Sequence, residues 1–216
     1  RMVSGKVEIG QGINTAFMQI AAEELDINPD RIQLSAGNTK DKLDGGCTSG
    51  SQSMQTEGMS LRKAASAARM VMMEKAAELL QSDMENLEIE DGEFFLNGSS
   101  TELTYWSISD DVSLDKSVEQ YMKPKSQDKK KLMGKPIKRI DLQDKILGKH
   151  IFIHDLEFEG MLHARVIRPP SASSRLISID KAAINKLPNI EKLIVDGSFV
   201  AIVTKKEEDA ISVVNK

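Results

Sequence analysis

The sequence predicts an α+β fold in two parts, strands laid against one long helix and then a smaller mixed domain. Three patterns carry that expectation. In GKVEIGQGINTAFMQIAAEEL, residues 5–25, an alternating strand hands over to a helix through two glycines. A long helix with an apolar stripe, about 58–80, precedes a hairpin pattern at 86–97. Beyond a basic stretch beginning at residue 122, with two prolines, the pattern changes to strands around a small helix.

The elements follow in order. Val7 and Ile9 alternate with Lys6 and Glu8, as in a half-buried strand. Gly10 and Gly12 open backbone angles closed to other residues. Asn14 or Thr15 is the expected N-cap, and Phe17, Ile20, Ala21 and Leu25 form one helical face. Asn28-Pro29-Asp30 is a turn, and Ile32 with Leu34 marks a second strand. Residues 36–58 form a Gly/Ser/Thr-rich loop too long to be a plain connector. The following helix carries Leu61, Ala65, Ala68, Met72, Ala76 and Leu79 as its stripe. Residues 86–97 read as a hairpin across Asp91-Gly92, and 101–121 as one or two shorter helices. The expected domains are therefore 1–121 and 139–216, with 122–138 as a linker. No internal repeat is present.

Composition narrows the function classes. The 216 residues are 40% hydrophobic and 29% charged, which describes a globular protein with a core of its own. A net charge of −4 supplies no global attraction for nucleic acid. No apolar run reaches the roughly 20 residues of a membrane-spanning helix. The single cysteine, Cys47, excludes an internal disulfide framework and a cysteine-rich metal cluster. Neither end shows a leader or a clear stop, so the sequence reads as a piece of a longer protein, and its compartment stays open.

Two loops could carry chemistry. Gly10-Gln11-Gly12 opens a helix, where outward N–H groups favour an anion or an oxo group and Gln11 sits on a perch that lets a ligand come close. The plainer reading is a glycine-rich turn with an exposed glutamine. GGCTSGSQS, residues 45–53, offers hydroxyls and flexible amides before a long helix, the local chemistry of phosphate or polar-cofactor binding. It is not a Walker loop, and the first stretch is not a dinucleotide fingerprint. Other candidates are weaker. His150 and His154 would share one side of a strand, with His163 further on, and packing or surface roles fit them better than metal ligation. Cys47 has no histidine near it in sequence and reads as an unreactive small residue. Lys129-Lys130-Lys131 reads as a solvated stretch. No Ser/His/Asp set or carboxylate pair supports a hydrolase.

VEIGQGINTAFMQIAAEEL resembles the molybdenum-binding segment in the large subunit of molybdenum hydroxylases, the xanthine dehydrogenase and aldehyde oxidase superfamily. GGCTSGSQSMQTEGMSLRKAASAARMVMMEKAAELL is similar to the Gly-Gly-x-Thr loop and helix of the isoquinoline 1-oxidoreductase beta-subunit branch. KPIKRIDLQDKILGKHIFIHDLEFEGMLHARVIRPPSAS and GSFVAIVTKKEEDA resemble parts of that superfamily's a/b hammerhead domain. The resemblance implies a partial molybdopterin-binding lobe followed by a hammerhead-like domain. It implies that Gln11, flanked by Gly10 and Gly12, hydrogen-bonds near a molybdenum oxo ligand. It implies too that Thr48, Ser49, Gly50, Ser51 and Ser53 wall the molybdopterin cytosine dinucleotide. The implied reaction hydroxylates an N-heteroaromatic ring or an aldehyde with oxygen from water, and electrons leave through a [2Fe-2S] small subunit.

The family's catalytic glutamate has no counterpart among these residues, and Glu23 and Glu24, on a helix, do not replace it. The expectation is a fragment without turnover of its own and without bound cofactor, docking on the rest of the large subunit or self-associating. The alternative is a stand-alone, non-catalytic binding or subunit-assembly module.

Overall fold

A computed structural model describes residues 1–149 and 152–215. They fall into two compact units, Arg1–Lys149 and residues 150–216. The fold is α+β.

The first unit begins with β1 (Met2–Ser4), α1 (Ile13–Leu25) and β2 (Leu34–Ala36). β1 and β2 pair in parallel, Met2 opposite Leu34. The strand expected at Val7 and Ile9 lies earlier in the chain, because after Ser4 the backbone leaves the ladder to pack against Gly45. Val7 and Ile9 are consequently 45% and 65% exposed. Helix α1 starts at Gly12, in the left-handed region with φ 82°, so the N-cap is this glycine and not Asn14 or Thr15. Ile13, Phe17, Met18, Ile20 and Ala21 gather with Met2 into one core cluster, joined at its edge by Ile32, Leu34, Leu61 and Met133.

Helix α2 (Met59–Leu80) follows a π-helical turn, Met54–Gly58. Ala65, Ser66 and Ala67 are buried, and side chains this small let α2 approach α1 closely. Leu79, expected on the stripe, is 46% exposed instead. The hairpin forms as expected from β3 (Leu87–Glu90) and β4 (Glu93–Leu96), with Asp91 and Gly92 at φ 48° and 80°, the two positive angles of a type I′ turn.

A second tight turn, Asn97-Gly98, adds the antiparallel strand β5 (Ser99–Thr104) where a helix was expected. Helices α3 (Tyr105–Ile108) and α4 (Val118–Tyr121) come after it. Leu87, Ile89 and Phe94 meet Ala76, Ala77, Tyr105 and Ile108 in a second core cluster. Within it Phe94 and Tyr105 stand edge to face at 5.4 Å, and the Tyr105 hydroxyl donates to the Leu25 carbonyl.

Residues 122–138, expected as a linker, are bound to α1. Glu23 and Glu24 are 1% and 0% exposed. Glu23 accepts hydrogen bonds from the N–H groups of Lys131, Leu132 and Met133 at 2.9, 2.6 and 2.8 Å. Glu24 accepts from the Lys125 N–H at 3.0 Å and from Arg62 Nε at 2.8 Å. Lys125 Nζ bridges the Glu23 carbonyl and Asp26. Buried carboxylates need such partners, and the basic, irregular stretch supplies them. Helix α5 (Leu142–Ile146) closes this unit.

The second unit carries an antiparallel sheet in the order β6-β8-β7, from β6 (His163–Val166), β7 (Ile190–Asp196) and β8 (Phe199–Thr204). Helix α6 (Lys181–Ile184) precedes β7, and α7 (Glu207–Val214), not foreseen as a helix, packs on β6 and β8. In β8, Val200 to Thr204 are all buried, the pattern of a central strand. The strand expected around His154 is a single 3-10 turn, Ile153–Asp155, and His150 lies outside the described residues.

Candidate functional site

The two glycine-rich stretches meet along residues 5–7. Gly5 touches Gly45 so closely that a Cβ on Gly5 would lie 2.1 Å from the Gly45 nitrogen. Only two glycines permit that approach. One residue on, Lys6 Nζ donates to the Cys47 carbonyl at 2.8 Å, and the Val7 N–H donates to Thr48 Oγ1 at 3.0 Å. Thr48 is thus the predicted residue that ties the second loop to the first. Beneath this seam Glu57 accepts from the Ser4 hydroxyl and the Gly5 N–H. Its other oxygen, Oε2, is buried without a hydrogen-bond partner among the described residues. A groove of about 420 Å³ opens beside it, lined by Ser4, Leu43, Gly45, Glu57, Ser60 and Leu61 among others.

Gly10 and Gly12 hold φ 106° and 82°, as a pivot built from glycine should. The N–H groups expected to face a ligand here are already taken. The Glu8 carboxylate accepts from Gly10 at 2.8 Å, from Gly12 at 2.9 Å and from Asn14 at 3.3 Å. A side-chain anion at a helix N-terminus satisfies both its free donors and its dipole. Gln11 turns back on its own loop: Oε1 accepts from the Ile9 N–H at 2.7 Å, and Nε2 donates to the Val7 carbonyl at 3.1 Å.

Arg139 locks the pivot from outside. Its Nη1 donates to the Gly10 carbonyl at 3.0 Å, and Nη2 lies 3.7 Å from Glu8. Its Nε and Nη2 also grip Asp141 at 2.9 and 2.7 Å. Hydrogen bonding to Arg139, aided by Lys145 and against the opposing pull of desolvation, holds the Asp141 carboxyl far below the usual carboxylate range.

The 45–53 loop presents the opposite picture. Gly46, Gly50 and Ser51 are at φ 67°, 62° and 57°, and Ser49 to Ser51 are exposed. The hydroxyls of Ser49, Ser51 and Ser53 engage no protein group among the described residues, and the Cys47 thiol is free and exposed. A Cβ built on Gly46 would meet nothing within 4 Å. Open hydroxyls on a loop with room around Gly46 and Gly50 fit an anionic, hydrogen-bond-accepting group. The α1 N-terminus does not fit one, because Glu8 fills it. Among the described residues no group of three or more His, Cys, Asp or Glu side chains is placed to hold a metal ion. His154 is exposed and His163 half-buried on β6.

Sequence reasoning missed Lys6, Glu8, Glu57 and Arg139. Lys6 and Glu8 occupy the polar positions of an alternating run and read as a solvent face. The only signal available was their place directly before the glycine pivot.

Residues 1–138 match the molybdopterin cofactor-binding domain family. The chain is 35% identical to a nicotinate dehydrogenase subunit of Pseudomonas putida, over 96% of this chain and 18% of that protein. It is 27% identical to the beta subunit of isoquinoline 1-oxidoreductase of Brevundimonas diminuta, over 94% of this chain and 31% of that one. It therefore spans less than a third of either relative's length. Reconstituted CO dehydrogenase from Oligotropha carboxidovorans is 31% identical over 47% of this chain and 13% of that chain, with a TM-score of 0.42. That likeness is partial, and the family rests on the sequence match. The chain belongs to the molybdopterin cofactor-binding domain family, within the xanthine dehydrogenase and aldehyde oxidase superfamily of molybdenum hydroxylases.

Proposed function

We propose that this chain is a segment of the large subunit of a molybdenum-dependent hydroxylase that oxidises an N-heteroaromatic ring or an aldehyde with oxygen from water. The first unit is then part of the molybdopterin-binding lobe and the second a hammerhead-like domain. The observation that carries the reading is the seam at residues 5–7. It ties the 45–48 end of the second loop to the residues just before the Gly10-Gln11-Gly12 pivot, and the hydroxyls of Ser49, Ser51 and Ser53 stand open beyond it, which supports reading the two stretches as parts of one site.

Thr48, Ser49, Gly50, Ser51 and Ser53 would hold the anionic part of molybdopterin cytosine dinucleotide by hydroxyl and N–H donation. Of the Gly10-Gln11-Gly12 pivot, whose glycine N–H groups Glu8 already occupies, the Gln11 side chain would be the group that turns to the cofactor. The bound cofactor supplies a two-electron redox centre and an activated oxygen. Gln11 reaches a ligand only by exchanging its bonds to Ile9 and Val7, each worth about 0.5–1.5 kcal/mol net. No general base is assigned, since Glu23 and Glu24 are buried and occupied by residues 125–133 and, at Glu24, by Arg62. Turnover therefore needs the remainder of the large subunit, and electrons pass to a [2Fe-2S] small subunit. Relatives named as subunits of larger enzymes support such partners.

The test is molybdenum analysis by elemental mass spectrometry, with pterin fluorescence, on the purified chain before and after titration with isolated molybdopterin cofactor. The expected result is neither group on the chain as purified, saturable pterin binding on titration, and loss of that binding in a Thr48→Val, Ser51→Ala double variant. A wild-type chain that takes up no pterin at millimolar cofactor, or a double variant that binds equally, overturns the reading.

The second reading is a non-catalytic subunit-assembly module. The exposed apolar side chains Ile140, Ile146 and Leu147, at 48%, 75% and 65% exposure, favour it. It predicts no pterin uptake together with stoichiometric capture of a partner subunit.

A further inference from the structure

Lys6 is 3% exposed, yet its amino group has one hydrogen-bond acceptor among the described residues, the Cys47 carbonyl at 2.8 Å. It belongs to no ion pair there. A lysine head carries three donors, and enclosing its charge away from water without a carboxylate is costly. Sequence alternation offers no reason to enclose it, because Lys6 sits on the side of the run that reads as solvent-facing. The contact it makes is to the loop whose hydroxyls stand open, one residue before Thr48.

We propose that Lys6 is the positioning residue of the 45–53 loop. Its buried amino group pins the Cys47 carbonyl from beneath, and its charge balances a phosphate-bearing ligand held on the loop's outer face. The ligand half of this inference rests on the cofactor reading above, while the positioning half does not. The mechanics are direct. The Cys47 carbonyl turned toward Lys6 fixes the peptide plane joining Cys47 to Thr48, and the Val7 N–H fixes the Thr48 side chain. With two successive residues held, the Gly50-Ser51 bend begins from a defined point, and its donors face a ligand without first being ordered. Pre-ordering of this kind lowers the entropy that binding must overcome. The positive charge strengthens any phosphate contact made by Thr48 or Ser49, because a charge enclosed by protein is screened less than one in water.

The experiment uses the full chain with inorganic pyrophosphate as the probe. It compares wild type, Lys6→Met, Lys6→Arg and the remote control Lys186→Met by amide chemical shifts and amide hydrogen exchange. In the wild type, pyrophosphate is expected to move the resonances of residues 46–53. Lys6→Met is expected to weaken binding about tenfold, equivalent to about 1.4 kcal/mol, and to speed exchange of the 46–51 amides. Lys6→Arg restores both and Lys186→Met changes neither.

Wild-type affinity together with wild-type exchange in Lys6→Met overturns the proposal. If pyrophosphate leaves the 46–53 resonances of the wild type unmoved, the cofactor reading and the charge role fall together. The exchange comparison then decides positioning by itself: faster exchange upholds it and unchanged exchange overturns it. Methionine matches the lysine stem in length and shape, so folding is expected to survive. Lys6→Gln, neutral and polar, supplies the same comparison if it does not.

Discussion

Replacing Glu23 by alanine tests the main claim about how residues 122–138 are held. The carboxylate accepts from three consecutive N–H groups, those of Lys131, Leu132 and Met133, and lies 3.6 Å from Lys125 Nζ. Glu23→Ala leaves those donors without an acceptor and removes one of the carboxylates beside a lysine whose side chain is 7% exposed. Losing one partner of a buried, hydrogen-bonded charge pair costs about 3–5 kcal/mol. Lys125 keeps Asp26 at 2.5 Å, which places the expected loss near the lower half of that range, about 3–4 kcal/mol. For a unit of this size each kcal/mol moves the midpoint by about 2–4 °C. A drop of roughly 6–16 °C in the first unit's thermal transition follows. Glu23→Gln retains one carbonyl acceptor and is expected to lose about half as much. Differential scanning calorimetry measures the drop, and hydrogen exchange locates it, with the amides of 131–133 losing protection first. A Glu23→Ala loss below about 1 kcal/mol, or unchanged protection at 131–133, refutes the reasoning.

Acid should dissolve the same contacts. Burial pushes the Glu23 carboxyl up, but the N–H groups of Lys131, Met133 and Leu132, with Lys125, outweigh it, and the group ends below its ordinary value. A lowered folded value means stabilisation that is complete above the unfolded glutamate value of about 4.3 and is lost as pH falls through the folded one. The thermal midpoint is expected to be level down to about pH 5 and to fall below it, less steeply in Glu23→Ala; a wild-type midpoint still level at pH 3 contradicts this. Gly5→Ala is expected to dismantle the seam, because its Cβ would sit 2.1 Å from the Gly45 nitrogen and 2.8 Å from the Leu43 carbonyl oxygen, both backbone atoms. The cost is about 1–3 kcal/mol by overpacking, with Val7 and Thr48 resonances displaced; an unperturbed spectrum would show that the two loops can separate freely. Glu8→Gln removes the charge from the α1 N-terminus, so exchange at Gly10, Gly12 and Asn14 should quicken with a loss of about 0.3–1 kcal/mol. Identical exchange in the two proteins would argue that Glu8 is not the cap.

Local pattern was enough for the elements whose causes are local. The Asp91-Gly92 hairpin, helices α1 and α2 and the positive φ at Gly10 and Gly12 all follow from residues within a few positions of one another. Asn97-Gly98 carries the same turn chemistry as Asp91-Gly92, so β5 is legible in the sequence, and a helix beginning at 101 overlooks that turn. Half of the candidate site was legible too: the open loop at 45–53 is a property of its glycines and serines.

What tertiary structure alone decided is which polar groups find one another. Glu23 and its Lys131 partner stand 108 residues apart, and Arg139 reaches Gly10 across 129. Nothing in either neighbourhood marks the pairing, so a basic, proline-bearing stretch reads as a linker and an alternating glutamate as solvent-facing. Sequence periodicity records which face of an element is apolar. It does not record which distant donor a buried carboxylate will meet, because that depends on the chain closing on itself, and desolvation then leaves the buried group no alternative partner.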